Sequence, residues 1–352
     1  MASVTIYDVA ARAGVSIKTV SRVMNKEPNV RPAMRDRVLE AASALDYSPN
    51  LSARSLAGSR SFVIAVFVDA ALTIDHWRSE RGADYLSRIQ LGATLQCRDA
   101  GYHLLIELID HDAPRVRQEV AALLAALKPD GVILTPPSCD NETVLELLDK
   151  AGTPYVRLGP ERRDGVGPRV HMDDFAAARE MTQHLASLGH RRIGFIVGEP
   201  RYGASQARHG GYLDAMKQLD LPVADSWVRQ GDFTFQSGLD QAKALLSLPD
   251  RPTAIFASND DMALGCLAAA AELGLMAPGD VSVAGFDDSP SARFSRPQLT
   301  TVRQPVVEMA SLATRLLISG VIKGSASKGE PLDELLPFEL IHRASTAPPP
   351  SP

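Results

Sequence analysis

Residues 5–25 read TIYDVAARAGVSIKTVSRVMN and predict two short helices joined by a tight turn. Thr5 and Asp8 form a variant of the capping box at the start of the first helix, whose apolar residues recur at helical spacing. Gly14 ends this helix because glycine readily adopts a positive φ, and Ser16 caps the second helix. The stretch therefore predicts a helix-turn-helix.

The second helix of this unit carries the residue types that contact DNA. In a helix-turn-helix, the first residues of the second helix face the base edges of the major groove. The outward positions are Ile17, Lys18, Ser21 and Arg22. Lys18 and Arg22 can donate to guanine O6 and N7, and Ile17 can touch a thymine methyl group. Short polar groups placed to reach phosphates are Thr5, Ser16, Thr19 and Asn25.

Charge supports this interpretation of the head. Residues 1–60 contain nine Lys or Arg against five Asp or Glu, a net charge of +4, whereas the remainder carries −9. A basic head on an acidic body is typical of a polyanion-binding module attached to a second domain. A basic helix alone is often only a solvated surface, but the Ala-Gly-Val-Ser turn at residues 13–16 favours DNA binding.

Two segments, 5–25 and NLSARSLAG at 50–58, resemble the opening of the lactose/galactose repressor family of bacterial transcriptional regulators. The resemblance implies a DNA-binding domain at 1–49 and a hinge helix and linker at 50–60. It further implies DNA contacts by three hinge residues: Asn50, Ala53 and Leu56. In the family a leucine at the Leu56 position wedges into the minor groove, which kinks the duplex; the alternative is that Leu56 packs an ordinary linker helix.

From Ser61 onward, apolar runs alternate with helical patterns. The runs that predict buried strands are 62–68, 103–108, 131–134, 155–158, 192–197, 254–257 and 281–286. The helical patterns between them include 114–127, 175–188 and 261–273. This alternation is typical of parallel sheets covered on both faces. The resemblance continues here and implies an all-α head with a hinge helix, followed by a bilobed α/β core like that of periplasmic binding proteins.

We expect this core at 61–345, with crossovers near 168–172 and 297–303. The expected N-lobe comprises about 61–169 and 300–327, and the expected C-lobe about 170–299 and 328–345. Residues 346–352, in a segment rich in Ala, Ser and Pro, are expected to form a disordered tail.

Ligands of open α/β sheets bind at the carboxyl ends of strands, so polar residues that follow the apolar runs are candidates. The predicted effector-binding residues are Asp69, Arg208, Phe233, Asn259 and Asp287. Arg208 and Phe233 correspond, by the resemblance, to the family's effector arginine and to an aromatic residue that stacks on the ligand. Planar polar side chains can form hydrogen bonds with adjacent hydroxyl groups of a sugar, and an aromatic ring can cover its apolar face. This set therefore suits a mono- or oligosaccharide.

Structural roles compete at several of these positions. Asn259 or Asp260 caps the following helix, and Asp260 is the favoured cap. Asp287 and Asp288 could cap a turn, and Arg208 could form a surface salt bridge. The charged stretch 72–85 is longer than the family's loop there; it could bring His76 or Trp77 to the cleft, form a lid or decorate the surface.

Other classes of protein are disfavoured. Apolar residues make up 45% of the 352 residues, which excludes wholesale disorder, and no run of eighteen apolar residues predicts a membrane span. The first residues lack the pattern of a secretory signal, and three widely spaced cysteines indicate neither a disulfide framework nor a zinc site. These features predict a cytoplasmic protein, and the helix-turn-helix argues against a transporter's binding protein.

No catalytic, metal or cofactor motif is found, so an enzyme is not expected. Asp173 and Asp174 could be a catalytic pair, but acids at a helix start more often favour the helix dipole. The sequence predicts a repressor that binds near-palindromic operator DNA as a homodimer and responds to a small molecule.

Overall fold

The computed structural model describes residues 4–24, 29–47, 60–79, 84–111, 115–160, 166–322 and 331–350. The chain divides into two compact units between Phe62 and Val63.

The first unit is a small three-helix head. Its helices are α1 (Ile6–Ala13), α2 (Ile17–Met24) and α3 (Pro32–Ala44). They enclose a core of small and β-branched residues: Val9, Ala10, Ala13, Val20, Val23, Val38, Ala41 and Ala42. Gly14 takes φ of 61°, which turns the chain between α1 and α2, and Arg37 of α3 donates to the Ala13 carbonyl oxygen at 2.5 Å. The predicted helix-turn-helix is confirmed.

The second unit is built on parallel sheets. The strands are β1 (Val63–Asp69), β2 (His103–Ile109), β3 (Gly131–Leu134), β4 (Tyr155–Leu158), β5 (Arg169–His171), β6 (Ile193–Val197), β7 (Val228–Gln230), β8 (Ala254–Ala257), β9 (Ser282–Ala284), β10 (Thr301–Arg303), β11 (Asp333–Leu335) and β12 (Glu339–Ile341). In the described part of the chain, the first lobe holds a six-stranded sheet of order β11-β5-β4-β3-β1-β2, and the second lobe a four-stranded sheet of order β7-β6-β8-β9. Strands β10 and β12 pair antiparallel. The predicted α/β core with two parallel sheets is confirmed.

Helices cover both sheets. They are α4 (Ala70–Ser79), α5 (Asp84–Ala100), α6 (Val116–Leu127), α7 (Glu142–Ala151), α8 (Asp174–Ser187), α9 (Gly203–Gln218), α10 (Phe235–Leu246), α11 (Asp260–Glu272), α12 (Pro290–Phe294) and α13 (Val306–Ser319). Strands β6 and β8 are buried on both faces of their sheet. One face packs against α8 and α9, and the opposite face packs against α10 and α11. Long apolar runs in the sequence reflect this double burial.

The crossings between lobes differ from the expected boundaries. The chain leaves the first sheet after β5, returns after β10 and leaves again after β11. Residues 300–303, expected in the N-lobe, lie with the second lobe, because Val302 packs in its core. Residues 333–335, expected in the C-lobe, lie in the first lobe because Asp333 pairs with Arg169 of β5.

Residues 346–352 were expected to form a disordered tail, but the structure shows the chain hydrogen-bonded to the second lobe at residues 345–347. Residues 351 and 352 lie outside the described residues. Ser345 is fully buried, accepts a hydrogen bond from the Thr300 backbone N–H at 2.8 Å and donates to the Val283 carbonyl at 2.6 Å. The Ala347 backbone N–H donates to the Ser282 hydroxyl at 3.0 Å. These bonds dock residues 345–347 on β9, which composition alone does not reveal.

Candidate ligand cleft and nucleic-acid interface

The head presents the predicted base-reading side chains on α2. Exposed residues there are Ser16, Ile17, Lys18 and Arg22, while Thr19 and Ser21 are half-buried. The Ser16 hydroxyl accepts a hydrogen bond from the Thr19 backbone N–H at 3.2 Å, so Ser16 caps the helix. Ile17 is 41% exposed, a substantial apolar surface at the front of α2.

Other predicted DNA contacts are only partly within the described residues. Thr5 is exposed at the start of α1, and its backbone N–H and hydroxyl donate to Asp8 Oδ2 at 2.8 and 2.7 Å. Asn25, Asn50, Ala53 and Leu56 lie outside the described residues. Tyr7, which the sequence analysis did not select, is 67% exposed at the start of α1. A tyrosine hydroxyl is one of the groups that contact phosphates in protein–DNA complexes.

A cavity that is open to solvent lies between the two lobes of the body. Its walls come from residues that follow strands of both sheets, as the strand-end rule predicts. Arg208, Phe233, Asn259 and Asp287 of the predicted set line it. Residues that the sequence did not single out as ligand contacts also line it: Asp84, Tyr85, Asp174, Tyr202, Asp261 and Gln304.

Arg208, on α9, is held rigidly in this cavity. Its Nε donates to Asp174 Oδ1 at 2.8 Å and its Nη1 to the Ser258 carbonyl oxygen at 2.6 Å. The guanidinium stacks on the Phe286 ring at 3.7 Å from the centroid. Among the described residues no acceptor is bonded to Nη2. Arg208 is therefore a preorganised donor and not a surface ion-pair residue.

Asn259, rather than Asp260, caps α11. The Asn259 side chain accepts from the Met262 backbone N–H at 3.0 Å and donates to the Phe233 carbonyl oxygen at 2.9 Å. Asp260 is fully buried and accepts from the Thr301 hydroxyl at 2.6 Å, so the favoured assignment of the cap was wrong. By holding the Phe233 carbonyl, Asn259 fixes a residue whose φ is 70°.

The acidic pair Asp173 and Asp174 has structural roles. The Asp173 side chain caps α8 by accepting from the Ala176 backbone N–H at 2.9 Å, while Asp174 orients Arg208. Both carboxylates thus have structural partners.

Asp287 faces the cavity with a strongly perturbed carboxyl group. Its side chain accepts from Gln304, and its carbonyl oxygen accepts from Arg88 Nη1 of the first lobe at 2.8 Å. Burial is the main cause that raises the pKa of Asp287 to about 7. Burial, with the charge of Asp84, likewise raises the pKa of Asp261 to about 6.

Asp288, next to Asp287, is the centre of an arginine cluster that we call the Asp288 cluster: Arg293, Arg303 and Arg343. Burial opposes ionisation of Asp288, but hydrogen bonds from the three guanidinium groups outweigh it and lower its pKa to about 2. Since Arg303 ends β10 and Arg343 follows β12, this cluster ties both segments to the loop that carries Asp287.

Asp69 is the member of the predicted set that does not line the main cavity. Its carboxylate is 3% exposed, accepts from the Tyr202 hydroxyl at 3.0 Å and lies 3.6 Å from Arg201 Nη2. Since Asp69 ends β1 and Tyr202 precedes α9, this hydrogen bond joins the two lobes.

The charged stretch after β1 forms helix α4. Leu72 lines the main cavity, and Trp77 lines a neighbouring one without reaching the main cavity. The side chain of His76 and residues 80–83 lie outside the described residues.

Within the described ranges, no cluster of three His, Cys, Asp or Glu is arranged to hold a metal ion. The three cysteines are buried as free thiols. Over the same residues, the helices are too short or too polar to cross a membrane.

A DNA-reading head and a bilobed body with a polar cleft define a ligand-responsive DNA-binding regulator. The sequence model described as bacterial regulatory proteins of the lacI family matches residues 5–50, and the model of periplasmic binding protein-like domains matches residues 182–346. Catabolite control protein A of Priestia megaterium is 35% identical over 323 residues, covering 90% of this chain and 92% of that protein. The transcriptional repressor PurR of Actinobacillus pleuropneumoniae serotype 3 is 33% identical over 317 residues, covering 90% and 91%.

Solved structures agree with these relatives. The complex of the transcriptional regulator CelR with cellobiose is 31% identical, with a TM-score of 0.71 over 97% of this chain and 99% of that one. The Lac repressor dimer bound to operator and the anti-inducer ONPF is 28% identical, with a TM-score of 0.79 over 98% and 100%. The chain belongs to the LacI family of bacterial DNA-binding transcriptional regulators.

Proposed function

We propose that this protein is a repressor that binds a near-palindromic operator as a homodimer, and that a mono- or oligosaccharide in the cleft controls its operator affinity. The observation that carries the proposal is the cleft itself. A fixed guanidinium, an amide, a carboxyl group and an aromatic ring face one cavity between two lobes.

The cleft suits a ligand with several hydroxyl groups. Arg208 Nη2 can donate, Asp287 can accept, and the Asn259 amide retains one N–H and one lone pair after its protein bonds. Phe233 offers a ring wall that can cover the apolar face of a sugar. Cellobiose in the CelR complex is a ligand of this kind.

The head supplies the DNA contacts. Lys18, Arg22 and Ile17 are proposed to read bases, and Ser16 and Thr19 to bind phosphates. The remaining proposed contacts are Thr5, Tyr7, Ser21, Asn25, Asn50, Ala53 and Leu56. The Lac repressor structure is a dimer on its operator, and a homodimer of this chain would place two α2 helices in successive major grooves.

Coupling between the sites follows from the position of the cleft. A ligand that touches both lobes favours one interlobe angle, and the first lobe follows the head and hinge in the chain. Ligand and operator affinities must then change by the same factor. Titration of the complex with ligand gives the sign of that change.

The test begins with selection of duplexes from a random pool by the purified full chain. Neutral mono- and disaccharides are then screened for their effect on binding to the selected duplex. Arg208→Ala is expected to retain operator binding and lose the ligand response. Arg192→Ala is the matched control, since among the described residues that exposed side chain donates only to the Arg251 carbonyl oxygen, at 3.1 Å.

Two results would overturn the proposal. Equal binding to all duplexes at moderate salt would remove operator recognition. A normal ligand response in Arg208→Ala would place the effector elsewhere.

A further inference from the structure

One arginine of the first lobe is bonded to the second-lobe loop that carries a predicted ligand contact. Arg88, on α5, donates from Nη1 to the Asp287 carbonyl oxygen at 2.8 Å and from Nη2 to the Asp288 carbonyl oxygen. The first of these acceptors lies 199 residues further along the chain. Arg88 itself is not among the residues that line the cavity between the lobes. Any effect of Arg88 on a ligand in the cleft would therefore act through its neighbours.

The third donor of this guanidinium reaches a cavity residue of its own lobe. Arg88 Nε lies 2.7 Å from Asp84 Oδ2, one turn earlier on α5. Asp84 lines the cavity from the first lobe, and Asp287 lines it from the second. The side chains of Arg88 and Asp84 are 18% and 24% exposed, so water screens their pairing less than that of a surface ion pair. One planar group thus joins ligand-facing residues of both lobes.

We propose that Arg88 is the positioning residue that couples occupancy of the cleft to the angle between the lobes, and thereby to operator affinity. A ligand that bonds to Asp84 or Asp287 displaces groups that hold Arg88, so the Arg88 bonds differ in strength between the ligand-free and ligand-bound protein. A difference of this kind is what any ligand-driven change of state requires. The inference rests on the proposed function, because it assigns a residue to the coupling proposed there.

The acceptors of Arg88 are held firmly within the second lobe. Asp287 and Asp288 have φ of 132° and 52°, two successive residues in backbone conformations that residues with side chains rarely adopt. Such conformations persist where the surroundings hold them. The Asp288 cluster holds one of the two side chains, and Gln304 donates to the other. The loop therefore keeps its shape, and its bonds to Arg88 are the ones that break when the lobes move apart.

Helix α5 carries the effect of these bonds into the first lobe. Gly92, one turn after Arg88, lies so close to α13 that a Cβ atom there would overlap the Val307 carbonyl oxygen. Helix α13 begins two residues after Gln304, the residue that donates to the Asp287 carboxylate. The same loop is thus connected to two helices that are packed directly on each other. Because close-packed helices move as a unit, a shift of the loop must either move both helices or break the bonds to them.

The first test measures the arrangement of the lobes in the full chain, with neither ligand nor DNA. Lys150→Cys, in the last turn of α7, and Lys217→Cys, in the last turn of α9, place one exposed thiol on each lobe for a donor and an acceptor dye. The three native cysteines are buried and leave the labelling selective. Labelled chains are mixed with an excess of unlabelled chain, so that each oligomer carries one dye pair, and single-molecule energy transfer gives the distribution of distances.

Arg88→Met keeps a long unbranched side chain but removes every donor, and it should shift the equilibrium between lobe arrangements about tenfold or more. Arg88→Lys keeps the charge but lacks the planar fork, so its shift should be intermediate. Arg98→Met is the matched control on α5, because Arg98 is 76% exposed and its carboxylate partner, Asp99, lies 3.9 Å away. Thermal melting checks that all variants are folded. A wild-type distance distribution in Arg88→Met would overturn the proposal.

A second experiment measures affinity for the selected duplex with and without a saturating concentration of the sugar found in the screen. The ratio of the two affinities is the coupling factor, which should fall about fivefold or more toward one in Arg88→Met and stay unchanged in Arg98→Met. A wild-type coupling factor in Arg88→Met would refute the role of Arg88 and leave the proposed function standing. A shifted distance distribution in a chain that selects no duplex would support Arg88 as the residue that sets the lobe angle and refute the proposed function.

Discussion

Replacement of Asp288 by Asn tests the charge balance that holds the cleft together. Asp288 is fully buried and accepts hydrogen bonds from Arg293 at 2.9 Å, from Arg303 at 2.8 Å and from Arg343. Asn keeps the shape of the side chain but removes the negative charge. We expect Asp288→Asn to destabilise the body and to leave the head unaffected.

The magnitude follows from the pKa of Asp288. Its folded value of about 2 lies below the ordinary 3.8, and each pKa unit corresponds to about 1.4 kcal/mol, so the ionised group contributes about 2 kcal/mol at neutral pH. Arg293 and Arg303 are 55% and 42% exposed and can turn to water, whereas Arg343 is 12% exposed and loses its acceptor. A total loss of about 2–3 kcal/mol should lower Tm by about 4–6 °C in a unit of this size.

Thermal melting of the full chain at several pH values provides the assay. A depressed carboxyl pKa stabilises the fold above the ordinary pKa, and this contribution is lost as pH falls through the folded value. The Tm gap between wild type and Asp288→Asn should therefore be full above pH 4 and close toward pH 2. Asp240→Asn is the control, because that acceptor is a surface residue bonded to Gln236 at 3.0 Å. A Tm within 1 °C of wild type at pH 7, or a gap that persists near pH 2, would refute the reasoning.

Arg22→Ala should cost about 1–3 kcal/mol on the selected operator and flatten preference at one base pair, measured with single-base operator variants. Tyr202→Phe removes a hydrogen bond to the buried Asp69 carboxylate, so ligand affinity should fall about tenfold or more in calorimetry while ligand-free operator binding persists. Burial, with the charge of His342, lowers the pKa of His184 to about 4. The unfolded chain therefore binds the proton first, and stability should fall by about 1–2 kcal/mol between pH 6.5 and 4, after allowance for partial exposure. His184→Gln should show a shallower pH dependence in thermal melts.

Each of these predictions has a contrary result. An equal loss for Arg22→Ala on every duplex would make Arg22 a phosphate contact only. Unchanged ligand affinity in Tyr202→Phe would show that the Asp69 bond does not favour the ligand-bound arrangement. The same pH slope in His184→Gln would assign the titration to another group.

The candidate site was only partly predictable from sequence. Arg208 and Phe233 could be identified by the resemblance to the family, and Asn259 and Asp287 from their positions after strands; all four line the cavity. The neighbouring sequence could not decide between a ligand-binding role and a structural role for these residues. Asn259 and Asp260 are both good N-caps, and the choice depends on Thr301 and Ser289, which bind Asp260 in the core.

The sequence by itself determined the helix-turn-helix and the alternation of strands and helices. Those features depend on periodicity, caps and turns that act over a few residues. The basic head could also be recognised without a structure, because charge along a segment is additive.

Tertiary structure alone decided which distant polar groups meet. Asp69, a predicted ligand contact, accepts a hydrogen bond from Tyr202, 133 residues away, because the chain crosses between lobes and brings β1 beside the start of α9. The same folding places α4 against the cleft and docks Ser345 on β9. Such pairings depend on how sheets and helices pack, and no pattern within a short window contains that information.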